Sequence, residues 1–356
     1  MTTEPATQPA GRPLLELAGL DVSFSTPRGD VHAVRKVDLA VGAGEIVALV
    51  GESGSGKSAT ALAIMGLLPS NTHVRGSICL DGTDVAGLDE KQRARYRGSA
   101  AAIVFQNPMS SLSPVLKIKK QMSDVVRTHD RTLRDRDHVR SRCAELLLRC
   151  GLAQTDRVLN AYPHELSGGM RQRVAIALAV ACSPRLLIAD EPTTALDVTI
   201  QAGILDLLQS LRDELGMSIL LITHDLGVVA RLCDRTATMY AGEIVETGET
   251  ERVLSRPQHP YTARLIDACL RPDQRTSGML RTIPGAMADL ANLPAGCAFA
   301  DRCIYAEAEC REHAPPLGPV QAGGSSRCWV SLRGDLPEPE SVEVTAHTAA
   351  SGGVQQ

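Results

Sequence analysis

The chain has 356 residues, 44% of them hydrophobic, which is enough for one large domain and a smaller one. Its 37 Lys and Arg residues are balanced by 41 Asp and Glu residues, and the resulting net charge of −4 argues against a nucleic-acid partner. Apolar runs fall well short of the roughly 20 residues that a membrane helix needs, so any membrane spans must come from other subunits.

Both ends of the chain are rich in small and polar residues, and we predict disordered tails at 1–12 and 336–356. The first residues, MTTEPATQPAGRP, contain neither the basic start nor the apolar stretch of a secretory signal. We therefore expect the chain to stay in the cytosol.

A short apolar strand, EIVALV (45–50), is followed by a glycine-rich loop and by a segment with helical spacing, SATALAIMGLL. The loop fits the phosphate-binding pattern G-x-x-x-x-G-K-[ST] in the strand-to-helix context that the pattern requires. Its glycines would let backbone amides surround a phosphate, its lysine would reach the β- and γ-phosphates, and its last serine would bind Mg²⁺. The residues concerned are Gly51, Glu52, Ser53, Gly54, Ser55, Gly56, Lys57 and Ser58.

Residues of about 85–165 are rich in charged, helix-favouring segments and predict a helical insertion. Gln106 lies in this range, at the exit of the strand within IVFQNPMSSLSP. A glutamine there can bind Mg²⁺ or the attacking water through its amide, although most glutamines do neither.

The segment LSGGMRQR lies directly before the apolar run VAIALAVAC. Ser167 is a natural N-cap, and Gly168 and Gly169 would leave the first helix amides open to an anion. A chain with one phosphate loop needs only one nucleotide. We therefore predict that this second phosphate site contacts a nucleotide bound by another subunit.

Two further apolar strands end in polar side chains, as expected for buried parallel strands whose carboxyl ends face a ligand. RLLIADEP supplies Asp190, suited to Mg²⁺, and Glu191, suited to act as a general base. SILLITHD supplies His224, a candidate sensor of the γ-phosphate.

At these motifs, from about residue 14 to 255, the chain resembles the ATP-binding subunits of ABC transporters. GESGSGKS resembles Walker A, Gln106 the Q-loop, LSGGM the signature, LLIADE Walker B, Asp197 the D-loop aspartate and ITHD the switch histidine. Phe24 falls where the family has an aromatic residue that stacks on adenine, although an aromatic residue in a strand is often part of the core.

The resemblance implies an α/β P-loop NTPase of the ABC cassette type: a RecA-like core, an N-terminal antiparallel β subdomain and a helical subdomain, together spanning 13–255. It implies ATP and Mg²⁺ as cofactors, with Ser58, Gln106 and Asp190 around the metal and with Glu191, His224 and Gln106 in catalysis. It also implies a head-to-tail dimer in which Walker A of one ATPase subunit faces the signature of the other.

The region 256–335 is similar to the C-terminal extension of oligopeptide and dipeptide importer ATPases, on the segments RPQHPYTARLIDACL and LPAGCAFADRCIYAEAEC. This implies a related partner ATPase, two transmembrane permease subunits, an extracytoplasmic solute-binding protein and a peripheral location on the cytoplasmic face of the membrane. A nickel or glutathione importer, or a non-transport ABC ATPase in a soluble complex, remains an alternative.

Cys297, Cys303, Cys310 and Cys328 are bunched within that extension, with the spacing C-x5-C-x6-C-x17-C. In the expected reducing compartment a disulfide framework is disfavoured, and the spacing lacks the close pairs typical of structural zinc. A [4Fe-4S] cluster tolerates such spacing, and the neighbouring Arg302 and Arg327 would lower the thiol pKa values. The resemblance also favours a cluster; zinc and four reduced structural cysteines stay open.

Overall fold

The computed structural model describes residues 12–27, 29–129, 135–194, 196–269 and 283–336. All but the innermost residue of each predicted tail lies outside these residues. The chain divides into two compact units, one formed by residues up to 47 together with 57–222, the other by 48–56 together with the residues from 223 onward.

The first unit contains an antiparallel sheet near the N-terminus, with the strand order β2-β1-β4-β5. Buried and exposed residues alternate along the first half of β1, which is the pattern of a strand with one face on the core. These strands are β1 (Leu15–Thr26), β2 (Gly29–Val41), β4 (Thr72–Leu80) and β5 (Thr83–Asp84).

The first unit also contains strands in the order β3-β8-β7-β6, in which β6, β7 and β8 are parallel neighbours. Strands β3 and β8 are buried along their whole length, which explains why the sequence shows them as unbroken apolar runs. The strands are β3 (Ile46–Val50), β6 (Ala101–Val104), β7 (Leu186–Asp190) and β8 (Ser218–Thr223); β3 and β8 each cross the boundary between the units.

Helices connect these strands, and the helices between β6 and β7 pack against one another. The helices of the first unit are α1 (Lys57–Ile64), α2 (Glu90–Ser99), α3 (Pro108–Ser111), α4 (Ile118–His129), α5 (Arg136–Arg149), α6 (Thr155–Asn160), α7 (Gly168–Val180) and α8 (Val198–Leu215), with a 3-10 turn at Pro163–Glu165.

The second unit contains an antiparallel set of strands in the order β11-β12-β10-β9. Its core includes an aromatic cluster of Tyr240, Tyr261 and Phe299, whose ring centroids lie 4.6 to 5.5 Å apart. The elements are α9 (Leu226–Leu232), β9 (Arg235–Tyr240), β10 (Glu243–Glu249), α10 (Thr250–Ser255), α11 (Pro260–Cys269), α12 (Ala308–Glu312), β11 (Gly318–Pro319), β12 (Ser325–Ser326) and α13 (Trp329–Arg333), with a 3-10 turn at Ala300–Arg302.

Two features of local structure bear on the sequence-based predictions. The strand predicted before Gln106 is β6, which lies among the helices of 85–165 and pairs with β7. Helix α11 (Pro260–Cys269), ten residues long, lies in a region where the sequence predicted no helix. Within the part of the chain that the structure describes, helices lack the combination of length and hydropathy needed to cross a bilayer.

Candidate functional site

The glycine-rich loop between β3 and α1 depends on backbone conformations that favour glycine. Positive φ angles occur at Gly51 (156°), Gly54 (81°) and Gly56 (111°). At Gly51 a Cβ atom would lie 2.2 Å from the carbonyl oxygen of Met239, so only glycine fits there without displacing backbone. The carbonyl of Ser55 accepts a hydrogen bond from the amide of Gly242 at 2.9 Å, which fixes the loop to the turn after β9.

The residues that follow the loop, Lys57 and Ser58, begin α1 and approach the end of β7. The side chains of Ser58 and Asp190 form a hydrogen bond. Burial raises the pKa of Asp190, against the opposing effects of that hydrogen bond and of the Lys57 charge. A serine hydroxyl and a carboxylate held together in this way form an oxygen pair of the kind that Mg²⁺ prefers.

Glu191 and Gln106 are also brought together. The amide Nε2 of Gln106 donates to Oε2 of Glu191 at 2.6 Å, and the hydroxyl of Thr194 donates to the same oxygen at 3.0 Å. Glu191 has a φ angle of 47°, and its amide donates to the carbonyl of Ile222 at 2.8 Å. A side chain on such a constrained backbone is held in one place, as expected of a catalytic base.

The structure shows where two further candidates, His224 and Phe24, lie in the fold. Ile222 is the register partner of Asp190 across β7 and β8, and His224 follows it by two residues and is exposed. Phe24 is half-buried on β1, opposite Val31 of β2. Their roles toward the γ-phosphate and adenine stay predictions.

The signature segment begins α7 as expected. The Oγ atom of Ser167, the N-cap, accepts from the amide of Met170 at 3.3 Å. Gly169 is also constrained by packing, which the sequence did not reveal. A Cβ atom added at this position would lie 2.7 Å from Cγ2 of Ile200 on α8. Gly168 has no such constraint, since a Cβ there would lie 3.5 Å from the nearest atom, Cδ2 of Leu196.

Asp197 caps the helix that packs on the signature. Its Oδ1 accepts from the amide of Ile200 at 2.9 Å at the start of α8. The position of the D-loop aspartate is thus set by the same helix turn that restricts Gly169.

The four bunched cysteines line one pocket of the second unit, together with Phe299 and other residues. Burial raises the pKa of Cys297 to about 12 and that of Cys303 to about 11. Among the described residues, however, we find no group of three His, Cys, Asp or Glu side chains arranged to hold a metal ion. The thiols share a pocket, but they would have to move closer together to bind an ion.

The expectation that Arg302 and Arg327 lower the thiol pKa values is wrong. The guanidinium of Arg302 contacts Glu52 and Tyr240, and that of Arg327 donates to backbone carbonyls of Ile244 and Pro315. Adjacency in sequence does not bring these charges to the thiols, and burial dominates instead.

Sequence reasoning missed the residues of the second unit that hold the phosphate loop. The hydroxyl of Tyr261 accepts from the amide of Glu52 at 2.8 Å, and Arg302 forms an ion pair with the Glu52 carboxylate. A contact between positions 250 residues apart leaves no pattern in a single sequence.

Comparison with known proteins shows which families this chain resembles. Residues 34–194 match the ABC transporter family, and residues 245–310 match the oligopeptide/dipeptide transporter C-terminal region. A Brucella melitensis protein named for peptide import and ATP binding is 48% identical, over 89% of this chain and 97% of its own. The oligopeptide transport ATP-binding protein OppD of Bacillus subtilis is 45% identical, over 93% and 92%.

A dimeric ATP-binding cassette solved in a post-hydrolysis state with ADP and phosphate matches with a TM-score of 0.60 and 30% identity, over 66% of this chain and 98% of that structure. The predicted ABC cassette fold is therefore confirmed, and the chain is an ATPase of the ABC type. Within that class, it belongs to the family of ATP-binding subunits of peptide ABC transporters.

Proposed function

We propose that this chain hydrolyses ATP to power a peptide-type ABC importer of oligopeptides or dipeptides. The observation that carries the proposal is the presence, in one chain, of the cassette site and of a region matching the oligopeptide/dipeptide transporter C-terminal region. Relatives named for peptide import and oligopeptide transport align over nearly the whole chain, which supports the same cargo class here.

In the proposed reaction the loop 51–58 holds the phosphates of ATP, and Phe24 stacks on adenine. Ser58, Asp190 and Gln106 surround Mg²⁺, Glu191 activates the attacking water, and His224 contacts the γ-phosphate. The Ser58–Asp190 hydrogen bond supports this division of roles because it joins two residues assigned to Mg²⁺, and the Gln106–Glu191 hydrogen bond joins a proposed Mg²⁺ ligand to the proposed base.

The signature residues Ser167, Gly168 and Gly169 serve ATP bound by a second, related ATPase subunit, with Asp197 at the same interface. ATP binding closes the pair and hydrolysis opens it. Two transmembrane permease subunits receive this motion, and an extracytoplasmic solute-binding protein delivers the peptide. The chain then works peripherally, at the cytoplasmic face of the membrane.

The four-thiol pocket is proposed to hold a [4Fe-4S] cluster as a structural part of the C-terminal extension, a region with little core of its own. The four thiols line one pocket, and burial raises the pKa of Cys297, Cys303 and Cys328, so a bound cation would be needed to favour their thiolate forms. Zinc is the alternative ion.

The importer proposal is tested by solubilising membranes of the native host with detergent and purifying the complex through a tag on this chain. We expect multi-span subunits to co-purify, and peptide-loaded binding protein to stimulate ATP hydrolysis in the reconstituted complex. Stimulation by nickel or glutathione instead would change the cargo class. Purification with soluble partners alone would contradict the importer role and favour a non-transport ATPase.

A further inference from the structure

The side chain of Arg302, near the thiol pocket, reaches the phosphate loop. Its Nη1 lies 2.8 Å from Oε2 of Glu52, and its Nη2 lies 3.1 Å from Oε1, so the ion pair is bidentate. The side chain of Arg302 is 5% exposed and that of Glu52 is 30% exposed, so the ion pair is partly buried and less screened by water than a surface pair. Glu52 is the second residue of the glycine-rich loop.

The guanidinium of Arg302 is fixed from several directions. Its Nε donates to the carbonyl of Pro284 at 2.8 Å, and Nη1 also donates to the hydroxyl of Tyr240 at 3.3 Å. Its central carbon lies 5.8 Å from the ring centroids of both Tyr240 and Phe299. A planar fork with these contacts suits arginine, and lysine could reproduce the charge but not the geometry.

The backbone of Glu52 is held as well. Its amide donates to the hydroxyl of Tyr261 at 2.8 Å, and Tyr261 is fully buried on α11. Two residues further along the loop, a Cβ on Gly54 would lie 2.8 Å from Cε of Met287, so the segment after Pro284 also packs on the loop. Residues after position 255 therefore contact the amide of Glu52, its carboxylate and Gly54.

Glu52 carries a negative charge on a loop that has to receive a polyphosphate. Without a partner, this carboxylate would repel the phosphates, and the repulsion would be strong because the site is partly shielded from water. The guanidinium of Arg302 compensates this negative charge and holds the carboxylate through two hydrogen bonds.

We propose that Arg302 is a positioning residue for ATP binding: by pairing with Glu52, it removes a repulsive charge from the phosphate loop and, with Tyr261, fixes the start of that loop. The C-terminal extension would then be a working part of the nucleotide site. The proposal rests on the assignment of the loop 51–58 to ATP.

The test compares the affinity of the purified full chain for Mg-ATP, by titration calorimetry, with kcat and KM of ATP hydrolysis by the complete transporter. An unsatisfied charged hydrogen-bonding group costs a folded protein about tenfold or more in an equilibrium constant, and we expect an unpaired Glu52 carboxylate to oppose phosphate binding by a similar factor. We expect R302M to raise Kd and KM for ATP by about tenfold with kcat within about threefold of the parent value.

The double variant distinguishes charge neutralisation from a general loss of structure. E52Q removes the carboxylate that Arg302 compensates, so R302M/E52Q should bind ATP within about threefold of E52Q alone. R302K should recover part of the affinity. If the two single effects simply multiply, or if R302M lowers kcat and leaves KM unchanged, the proposal is overturned.

Three more variants keep the result interpretable. Y261F removes one hydroxyl from a buried ring and should weaken ATP binding by about threefold even if R302M folds poorly; unchanged binding would contradict the positioning of the loop. R140M on α5 breaks an exposed ion pair with Asp156 of the same 2.8 Å length, and it should leave Kd unchanged.

K57A distinguishes failure of the loop assignment from failure of the Arg302 proposal. If K57A binds ATP normally, the assignment of the loop is wrong. Lost binding in K57A with normal binding in R302M rejects only the role of Arg302.

Discussion

The backbone and the side chain of Glu191 are both constrained by neighbouring residues. Its φ of 47° is unfavourable for a residue with a side chain, its amide is tied to Ile222, and its carboxylate accepts hydrogen bonds from Gln106 and Thr194. Such strain is retained only where the neighbouring structure enforces it. The backbone therefore supports the role of general base that we propose for the side chain.

We expect Glu191→Gln to bind ATP like the parent chain and to hydrolyse it about 10²- to 10⁴-fold more slowly, since the amide cannot accept a proton from water. Single-turnover hydrolysis together with ATP titration measures the two effects separately. Glu214→Gln, on an exposed glutamate that pairs with Arg149, is the matched control and should leave both unchanged. Hydrolysis near the parent rate in Glu191→Gln would remove Glu191 from this role.

At the residue scale, the sequence predicted which side chains lie close together when these side chains follow strands of the same sheet. Ser58 with Asp190 and Gln106 with Glu191 are such pairs, because parallel strands deliver their carboxyl ends to the same edge. The direction of Arg302 could not be predicted in this way. It precedes Cys303 in the sequence, yet its guanidinium lies on Glu52, and only packing decides between the two.

At the scale of elements, the start of α7 combines a predicted anion site with a packing constraint. Ser167 caps the helix at the predicted site, and Gly169 lets α8 approach closely. Loss of activity in a Gly169 variant would therefore not prove a role in nucleotide contact. The two causes have to be separated by changing the helix that Gly169 touches.

We expect Gly169→Ala to lower the thermal unfolding temperature, because the new methyl would lie 2.7 Å from Cγ2 of Ile200 and overpacking costs about 1–3 kcal/mol. Adding Ile200→Ala removes the clashing atom and should restore part of that loss. Gly168→Ala is the control, since its methyl would make an ordinary 3.5 Å contact with Leu196. An ATPase defect that persists in the double variant, where the clash has been removed, would indicate that Gly169 contacts the nucleotide bound by the partner subunit. Equal unfolding temperatures for all variants would contradict the packing argument.

Elements that are buried on both faces were predicted from the sequence alone. Strands β3, β7 and β8 are apolar runs, and each ends next to residues of the site. Helix α11 was missed because it follows a segment rich in proline and its buried side includes Tyr261, whose role depends on a distant loop. Local periodicity carries no information about that contact.

For the whole molecule, the C-terminal extension is linked to the cassette site by a chain of contacts inside the second unit. Phe299 lines the four-thiol pocket and also packs on Tyr240 and Tyr261, and Tyr261 holds the amide of Glu52. Order in the pocket therefore bears on order in the phosphate loop. A bound cluster would stabilise this region, since cluster binding favours only the folded arrangement of the thiols.

We expect anaerobically purified protein to contain iron and acid-labile sulfide in equal amounts, about four of each per chain as the cluster formula requires, and to absorb broadly in the visible range. Removal of the iron by a chelator should lower the unfolding temperature, because the four thiols then lose their shared ligand. Cys303→Ser should lose iron, whereas Cys79→Ser, a half-buried cysteine on β4, should keep it. One zinc per chain in place of iron would assign the pocket to zinc. A chain free of both metals and indifferent to chelation would leave four reduced, purely structural cysteines and reject the cluster.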